Sequence, residues 1–267
     1  ERDEYGYTWE ADSRQIALLT EGMTKSALAP GRKDAKPVED DKVKLTEEET
    51  RRFRGTLMRA AYIAQDRPEL AYPVKEVARH MMTPNREHYR KLQRVTEYLH
   101  GTPVLKCRFG WQEIQETVTV RCDSDHAGCK ETRKASTGLA TFIGKRLIYA
   151  ASKTQTLIAR SSGEAELYGI LSATSSGMGA KSLLKDLGVE AKLVVQSDAS
   201  AGIAMAEKQG LQRTKHLHTG FLWIQEACKN GDVELQKIDT LRNEADLMTK
   251  TLEAPRMRYL LGRMGLK

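Results

Sequence analysis

The sequence predicts an α/β protein: three antiparallel strands, then an αβαβα run completing a mixed sheet, all preceded by a mainly helical region. Three observations carry that prediction. Residues 46–101 hold helical patterns with caps at their starts. From 117 the texture changes to short β-rich runs, "TVTVRCD", "GLATFIG" and "RLIYAAS". From 162 onward helical and strand patterns alternate. Strands joined by short loops pair antiparallel, and a strand that returns after a helix pairs parallel, so the order implies one mixed sheet with helices on its faces.

The elements follow in order. "PGRKDAKPVEDDKVK" (30–44) is charged, holds two prolines and lacks periodicity, so it reads as a linker or exposed loop. "TEEETRRFRGTLMRAAYIAQ" opens with Thr46 and Glu49 in capping-box spacing. "PELAYPVKEVARHMM" starts at Pro68, and "NREHYRKLQRVTEYLHG" runs from an Asn85 cap to Gly101. Leu92, Val95, Tyr98 and Leu99 form an apolar stripe on that last helix, opposite an Arg/Lys-rich face. After the three strands come a long helix over 162–187 and a strand "KLVV" ending in "QSD". Two helices, "SAGIAMAEKQ" and "KHLHTGFLWIQEACKNG", then a strand "DVELQKI", precede "NEADLMTK", which reads as the start of a final helical segment. This divides the chain into 1–45, a helical region 46–116, and an α/β domain 117–267.

Composition narrows the function classes. The chain is 267 residues long with 40% hydrophobic and 30% charged residues, enough for a sizeable core. No apolar run approaches the ~20 residues that cross a bilayer, so no membrane partner is expected. The N-terminus is charged from its first residue, and Cys107, Cys122, Cys129 and Cys228 show no paired spacing. Both features point to an intracellular protein, cytoplasmic or nuclear, with reduced thiols. The net charge of +7 is uneven: residues 1–50 carry 8 Lys/Arg against 13 Asp/Glu, residues 51–108 carry 13 against 5. A basic block of that kind suits a polyanion. Arg86, Arg90 and Arg94 recur every four residues on one helix face and are its candidate phosphate contacts.

The acidic residues carry the chemistry. In the run ending at Cys122, Thr119, Arg121 and Asp123 share one face of the strand, and Asp125 would join it if the extended chain continued. Adjacent carboxylates repel, and a solvated turn is the ordinary reading of "DSD". Asp198 ends an apolar strand, where a carboxylate is costly unless something binds it. Asp246 follows Asn243 in the first turn of the last helical segment. In "SSGEAELYGIL" Ser161 and Glu164 have capping-box spacing, which employs Glu164 structurally and leaves Glu166 beside the apolar stripe. Each acid taken singly has a structural reading as a cap or surface residue. Four converging from four elements would need cations, and hard oxygen donors favour Mg²⁺ or Mn²⁺.

Seven stretches then carry a resemblance: "CDSDHAG", "STGLATFIG", "ASKTQT", "SSGEAELYG", "QSDASAGIAM", "RTKHLHTGFLWIQE" and "NEADLMTK". In this order they resemble the ribonuclease H domain of copia-type LTR retrotransposon Pol polyproteins, over residues 118–250. "RRFRGTLMRAAYIAQDRPELAYPVKEVARHMMTPNREHYRKLQRVTEYLHGT" resembles the segment joining reverse transcriptase to that domain, and "YTWEADSRQIALL" the end of the reverse transcriptase. The resemblance implies a ribonuclease H-like mixed sheet preceded by a helical connection region. It implies Asp123, Glu166, Asp198 and Asp246 as the catalytic acids and ligands of two Mg²⁺ (or Mn²⁺) ions. The implied reaction is endonucleolytic hydrolysis of the RNA strand of an RNA–DNA hybrid, with 5′-phosphate products. Ser161, Ser162, Lys153, Gln155 and Lys215 fall where relatives contact the hybrid or its phosphates, and the polymerase part of the same polyprotein is an implied partner. The alternative is a non-catalytic hybrid-binding or assembly module that retains the fold.

Departures are visible too. The copia-type pattern usually has Trp where this chain has His126, and no His lies between His218 and Asp246, where many ribonucleases H carry a mobile one. There is no Tyr-x-Asp-Asp polymerase motif, and Asp40-Asp41 in "VEDDK" lacks the aromatic.

Overall fold

A computed structural model of the chain describes residues 1–32, 38–129, 131–208 and 220–267. These form two compact units, Glu1–Trp111 with Lys250–Lys267, and Gln112–Thr249.

The first unit begins with β1 (Arg2–Asp3), β2 (Gly6–Glu10) and α1 (Ser13–Thr20), continues through α2 (Glu47–Ile63), α3 (Pro68–Ala78) and α4 (Arg86–Gly101), and reaches β3 (Lys106–Gly110). The capping box at Thr46 forms as its spacing predicts: Thr46 Oγ1 accepts from Glu49 N at 3.2 Å, and Glu49 Oε2 accepts from Thr46 N at 2.9 Å. At α4 the reciprocal bond is made by an imidazole, His88 Nδ1 accepting from Asn85 N at 3.2 Å. The apolar stripe Leu92, Val95, Tyr98 and Leu99 is buried, as is the matching face of α2, Phe53, Leu57, Ala60 and Ile63. Beside these helices the unit holds a three-stranded antiparallel sheet, β1-β2-β3. Its pairing is non-local, with Tyr7 opposite Phe109, so nothing in the local pattern of "GYTWE" reveals its partner.

The second unit holds β4 (Thr117–Ser124), β5 (Ser136–Ile143), β6 (Arg146–Thr154), α5 (Ser162–Asp186), β7 (Lys192–Ser197), α6 (Ser200–Glu207), α7 (Gly220–Asn230) and β8 (Glu234–Lys237). Its sheet has the order β6-β5-β4-β7-β8. The β4–β5 and β5–β6 pairs are antiparallel, while β4–β7 and β7–β8 are parallel, which is the predicted mixed sheet. Val118, Val120, Cys122, Leu139, Leu167, Ile170, Leu193, Val195, Phe221 and Ile224 make its core. Burial, with the charges of Glu166, Asp123 and Asp198, pushes the Cys122 thiol well above its usual range.

"NEADLMTK" does not open a long helix. It forms a 3-10 helix, Glu244–Met248, and α8 (Ala254–Arg263) starts separately, with Pro255 in its first turn. The chain end then belongs to the first unit, which differs from the expected domain 117–267. The reason is backbone pairing along β3: Lys106 N donates to Lys267 O at 2.8 Å, Lys267 N to Lys106 O at 2.9 Å, and Arg108 N to Gly265 O at 3.1 Å. Among the described residues no helix is long and apolar enough to cross a membrane.

Candidate active site

β4 carries Asp123 at its end, between the antiparallel neighbour β5 and the parallel neighbour β7. The carboxylate is 6% exposed. Its Oδ2 accepts a short hydrogen bond from the hydroxyl of Thr249. Asp125 is used differently. Its carboxylate accepts from Ser136 N, its own N–H donates to Ser136 O at 3.1 Å, and the pair closes the β4–β5 loop. The two aspartates of "DSD" therefore split between the site and the turn.

On α5 the structure separates Glu164 from Glu166. Ser161 Oγ caps the helix by accepting from Glu164 N at 3.2 Å. Glu164 accepts from Arg160 N at 2.8 Å, one residue outside the expected box, and from the Tyr168 hydroxyl at 3.1 Å. Burial and that bond push the Tyr168 hydroxyl up to about 12. Glu166 stays half-buried beside α6, where a Cβ on Gly202 would come within 2.9 Å of the Glu166 Cβ. Asp198 follows β7, but it does not cap α6: the N-cap position of that helix is Ala199, which makes no side-chain cap hydrogen bond.

Asp123, Glu166 and Asp198 each offer a carboxylate oxygen, and these oxygens lie within 4.8 Å of one another. Three carboxylates so close repel strongly unless a cation sits among them. The donor set is all oxygen, which fits a hard divalent ion. Asp246 is buried on the 3-10 helix and lies outside that cluster of three.

That 3-10 helix is seated over the Asp123 end of the sheet. Asn243, fully buried, caps it by accepting from Ala245 N at 3.2 Å and donates from Nδ2 to Cys122 O at 2.9 Å. Directly across from Asp123 on β5 stands Gly138. A Cβ there would come within 2.5 Å of Ala245 O and 3.0 Å of Met248 Cβ, so glycine permits the approach. Gly138→Ala is expected to cost about 1–3 kcal/mol by overpacking against backbone. A urea titration of the variant would check this.

The other expected contacts divide. Ser161, Ser162 and Lys153 are exposed. Gln155 is buried and its amide donates inward, to Thr137 Oγ1 at 3.0 Å and Ala165 O at 2.8 Å, so its side chain braces α5 against β5. Lys215, with His216 and His218, lies outside the described residues. The three arginines expected to track phosphates on α4 each have an acidic neighbour. Arg86 pairs with Glu49 at 2.9 Å, Arg90 with Asp40 at 2.9 Å and with Asp41, and Arg94 with Glu97 at 3.8 Å. The Val38 N–H and the Arg90 guanidinium hold Asp41 below the usual carboxylate range. The acidic block 1–50 thus supplies the partners of Arg86 and Arg90, across sequence separations that composition cannot show.

Sequence reasoning missed Asn243 and Thr249 as supports of the site, although both stand in "NEADLMTK"; only their contacts with β4 reveal them. It also missed the exposed face of α2, Arg51, Gly55, Met58, Arg59 and Tyr62. Apart from the backbone of its own helix, no atom of the described residues lies within 4 Å of a Cβ built on Gly55, so their packing does not call for glycine there. Gly55→Ala should therefore stabilise the unit by about 0.5–1 kcal/mol through helix propensity, measurable as a higher urea midpoint.

No family model matches the chain. Among curated proteins it is 34% identical over 214 residues, 78% of its length, to "Retrovirus-related Pol polyprotein from transposon TNT 1-94" of Nicotiana tabacum. By sequence the chain belongs with the retrovirus-related Pol polyproteins. A second Pol relative, from transposon RE1 of Arabidopsis thaliana, is 27% identical over 220 residues, 80% of the chain. This Pol-type chain spans about 15% of the length of each. Among solved structures, the foamy viral protease-reverse transcriptase in complex with dsDNA aligns with a TM-score of 0.51 at 13% identity, over 85% of this chain and 41% of that one. LC11-RNase H1, isolated from compost, aligns at 16% identity with a TM-score of 0.38, over 51% of this chain and 94% of that one. The second unit of the Pol-type chain has the α/β architecture with a mixed five-stranded sheet that the resemblance implied.

Proposed function

We propose that this chain is the ribonuclease H-bearing part of a retroelement Pol protein and that it hydrolyses the RNA strand of RNA–DNA hybrids. The observation that carries this reading is the convergence of Asp123, Glu166 and Asp198, from β4, α5 and the end of β7, within 4.8 Å. In the proposed site these three hold divalent ions, Mg²⁺ or Mn²⁺, with Asp246 as the fourth acid. Two such ions supply a hydroxide nucleophile and charge neutralisation at the leaving oxygen. The chain's own part is positional. Thr249 fixes the Asp123 carboxylate, the Ser161 cap and Glu164 fix the first turn of α5, and Asn243 fixes the 3-10 helix against β4. Ser161, Ser162 and Lys153, exposed on the same unit, are the proposed substrate contacts. A ribonuclease H separates the strands of a hybrid by the 2′-hydroxyls of one of them.

The test is incubation with a hybrid labelled on either strand, with Mg²⁺, Mn²⁺ or EDTA. RNA-strand cleavage that needs the metal and leaves 5′-phosphates is the expected result. Equal cleavage of single-stranded RNA, or full activity in EDTA, would overturn the reading.

A further inference from the structure

Asp246 is the acid whose place no strand or α-helix sets. It stands on a five-residue 3-10 helix, a form with poor internal hydrogen bonding. Side chains hold that helix, and the one bearing most charge is Glu244, which is fully buried and puts Oε1 2.5 Å from Nη1 of Arg121. Arg121 lies in β4, two residues before Asp123 and on the same strand face, a Cα separation of roughly 7 Å. An extended arginine spans a similar distance. A guanidinium drawn onto the cluster would bind the same oxygens that a divalent ion needs, since Arg–carboxylate pairs are strong and often bidentate. The structure shows it held elsewhere: by Glu244, by Gln196 Oε1 accepting from Nε at 3.0 Å, and over the Phe142 ring at 4.7 Å. Gln196 is itself oriented by donating to Gln236 Oε1 at 3.1 Å.

We propose that Glu244 is a positioning residue that holds the Arg121 guanidinium off the metal-binding carboxylates and so keeps their oxygens available to the ion. This rests on the ribonuclease H reading of the cluster. It makes a prediction that a purely structural ion pair does not: deleting both partners should be milder for metal binding than deleting Glu244 alone. With Glu244 gone, Arg121 turns to Asp123. With both gone, nothing competes for the cluster.

The experiment is Mn²⁺ binding to the whole chain by calorimetry, with no substrate present, alongside thermal melts. Glu244→Gln should weaken Mn²⁺ binding about tenfold or more, the scale seen when supports of metal ligands are removed. Arg121→Gln/Glu244→Gln should recover to within about threefold of the unmutated chain, and Arg121→Gln alone should bind at least as tightly as it. The inference is overturned if Glu244→Gln binds Mn²⁺ normally, if the double variant is as weak as Glu244→Gln, or if Arg121→Gln is weakened. Should Glu244→Gln fail to fold, the Arg121→Gln arm still decides. Absence of Mn²⁺ binding by the unmutated chain overturns the metal-dependent reading itself, and this inference with it.

Discussion

Asp123→Asn, Glu166→Gln and Asp198→Asn should each reduce RNA-strand cleavage by about 10³-fold or more. Each replaces a proposed charged oxygen ligand by a neutral amide of the same shape, and loss of metal-borne charge stabilisation is worth several kcal/mol, at about 1.4 kcal/mol per factor of ten. The three substitutions also relieve mutual repulsion in the cluster that spans 4.8 Å, so none should destabilise the fold. That combination, activity lost and stability kept, separates these residues from Glu164. Glu164→Ala removes the acceptor for Arg160 N and for the Tyr168 hydroxyl at the start of α5. It should cost about 1–3 kcal/mol in stability and act on cleavage only through the helix. Steady-state cleavage of a labelled hybrid and urea midpoints on all four variants check the pattern. If Glu164 governs turnover while Glu166 is dispensable, the assignment on α5 is reversed.

Glu69→Ala should be the most damaging single change in the first unit, at about 3–5 kcal/mol. Arg67 and Glu69 are both buried, with Nε and Oε1 2.6 Å apart, and the Tyr98 hydroxyl also donates to Glu69 at 3.3 Å. Burial and the Glu69 charge push the Tyr98 hydroxyl far up. Removing Glu69 leaves a guanidinium in the core that has lost its counter-charge and still donates to Thr102 O at 3.1 Å. Replacing both, as Arg67→Met/Glu69→Leu, takes the charges out together and should recover most of the loss. Trp9 and Trp111 report on the first unit and Trp223 on the second. Urea unfolding followed by fluorescence and by far-UV dichroism therefore shows which transition has moved. A Glu69→Ala midpoint equal to that of the unmutated chain would show that the pair contributes nothing.

Local pattern carried far in the second unit. The alternation before Asp123, the turn residues between strands and the cap at Ser161 are short-range signals, and the strands and α5 formed where those signals lie. The choice of Glu166 over Glu164 followed from cap spacing, and the structure places Glu166 in the carboxylate cluster and Glu164 in the cap. The first unit was less legible. Its helices announced themselves through Thr46, Pro68 and Asn85, but its sheet joins residues about a hundred positions apart and its last strand pairs with the chain end.

By itself the sequence determined the order and type of most elements, and which acids stand at strand and helix ends. Those properties depend on a few consecutive residues: side-chain period, caps and turn chemistry. Tertiary structure alone decided the rest. It drew three of those acids together, set Arg86 and Arg90 against carboxylates of other segments, and set Glu244 against Arg121. Charge pairing and close approach act through space across separations of up to 123 residues, and no local pattern in a chain encodes which distant group will arrive.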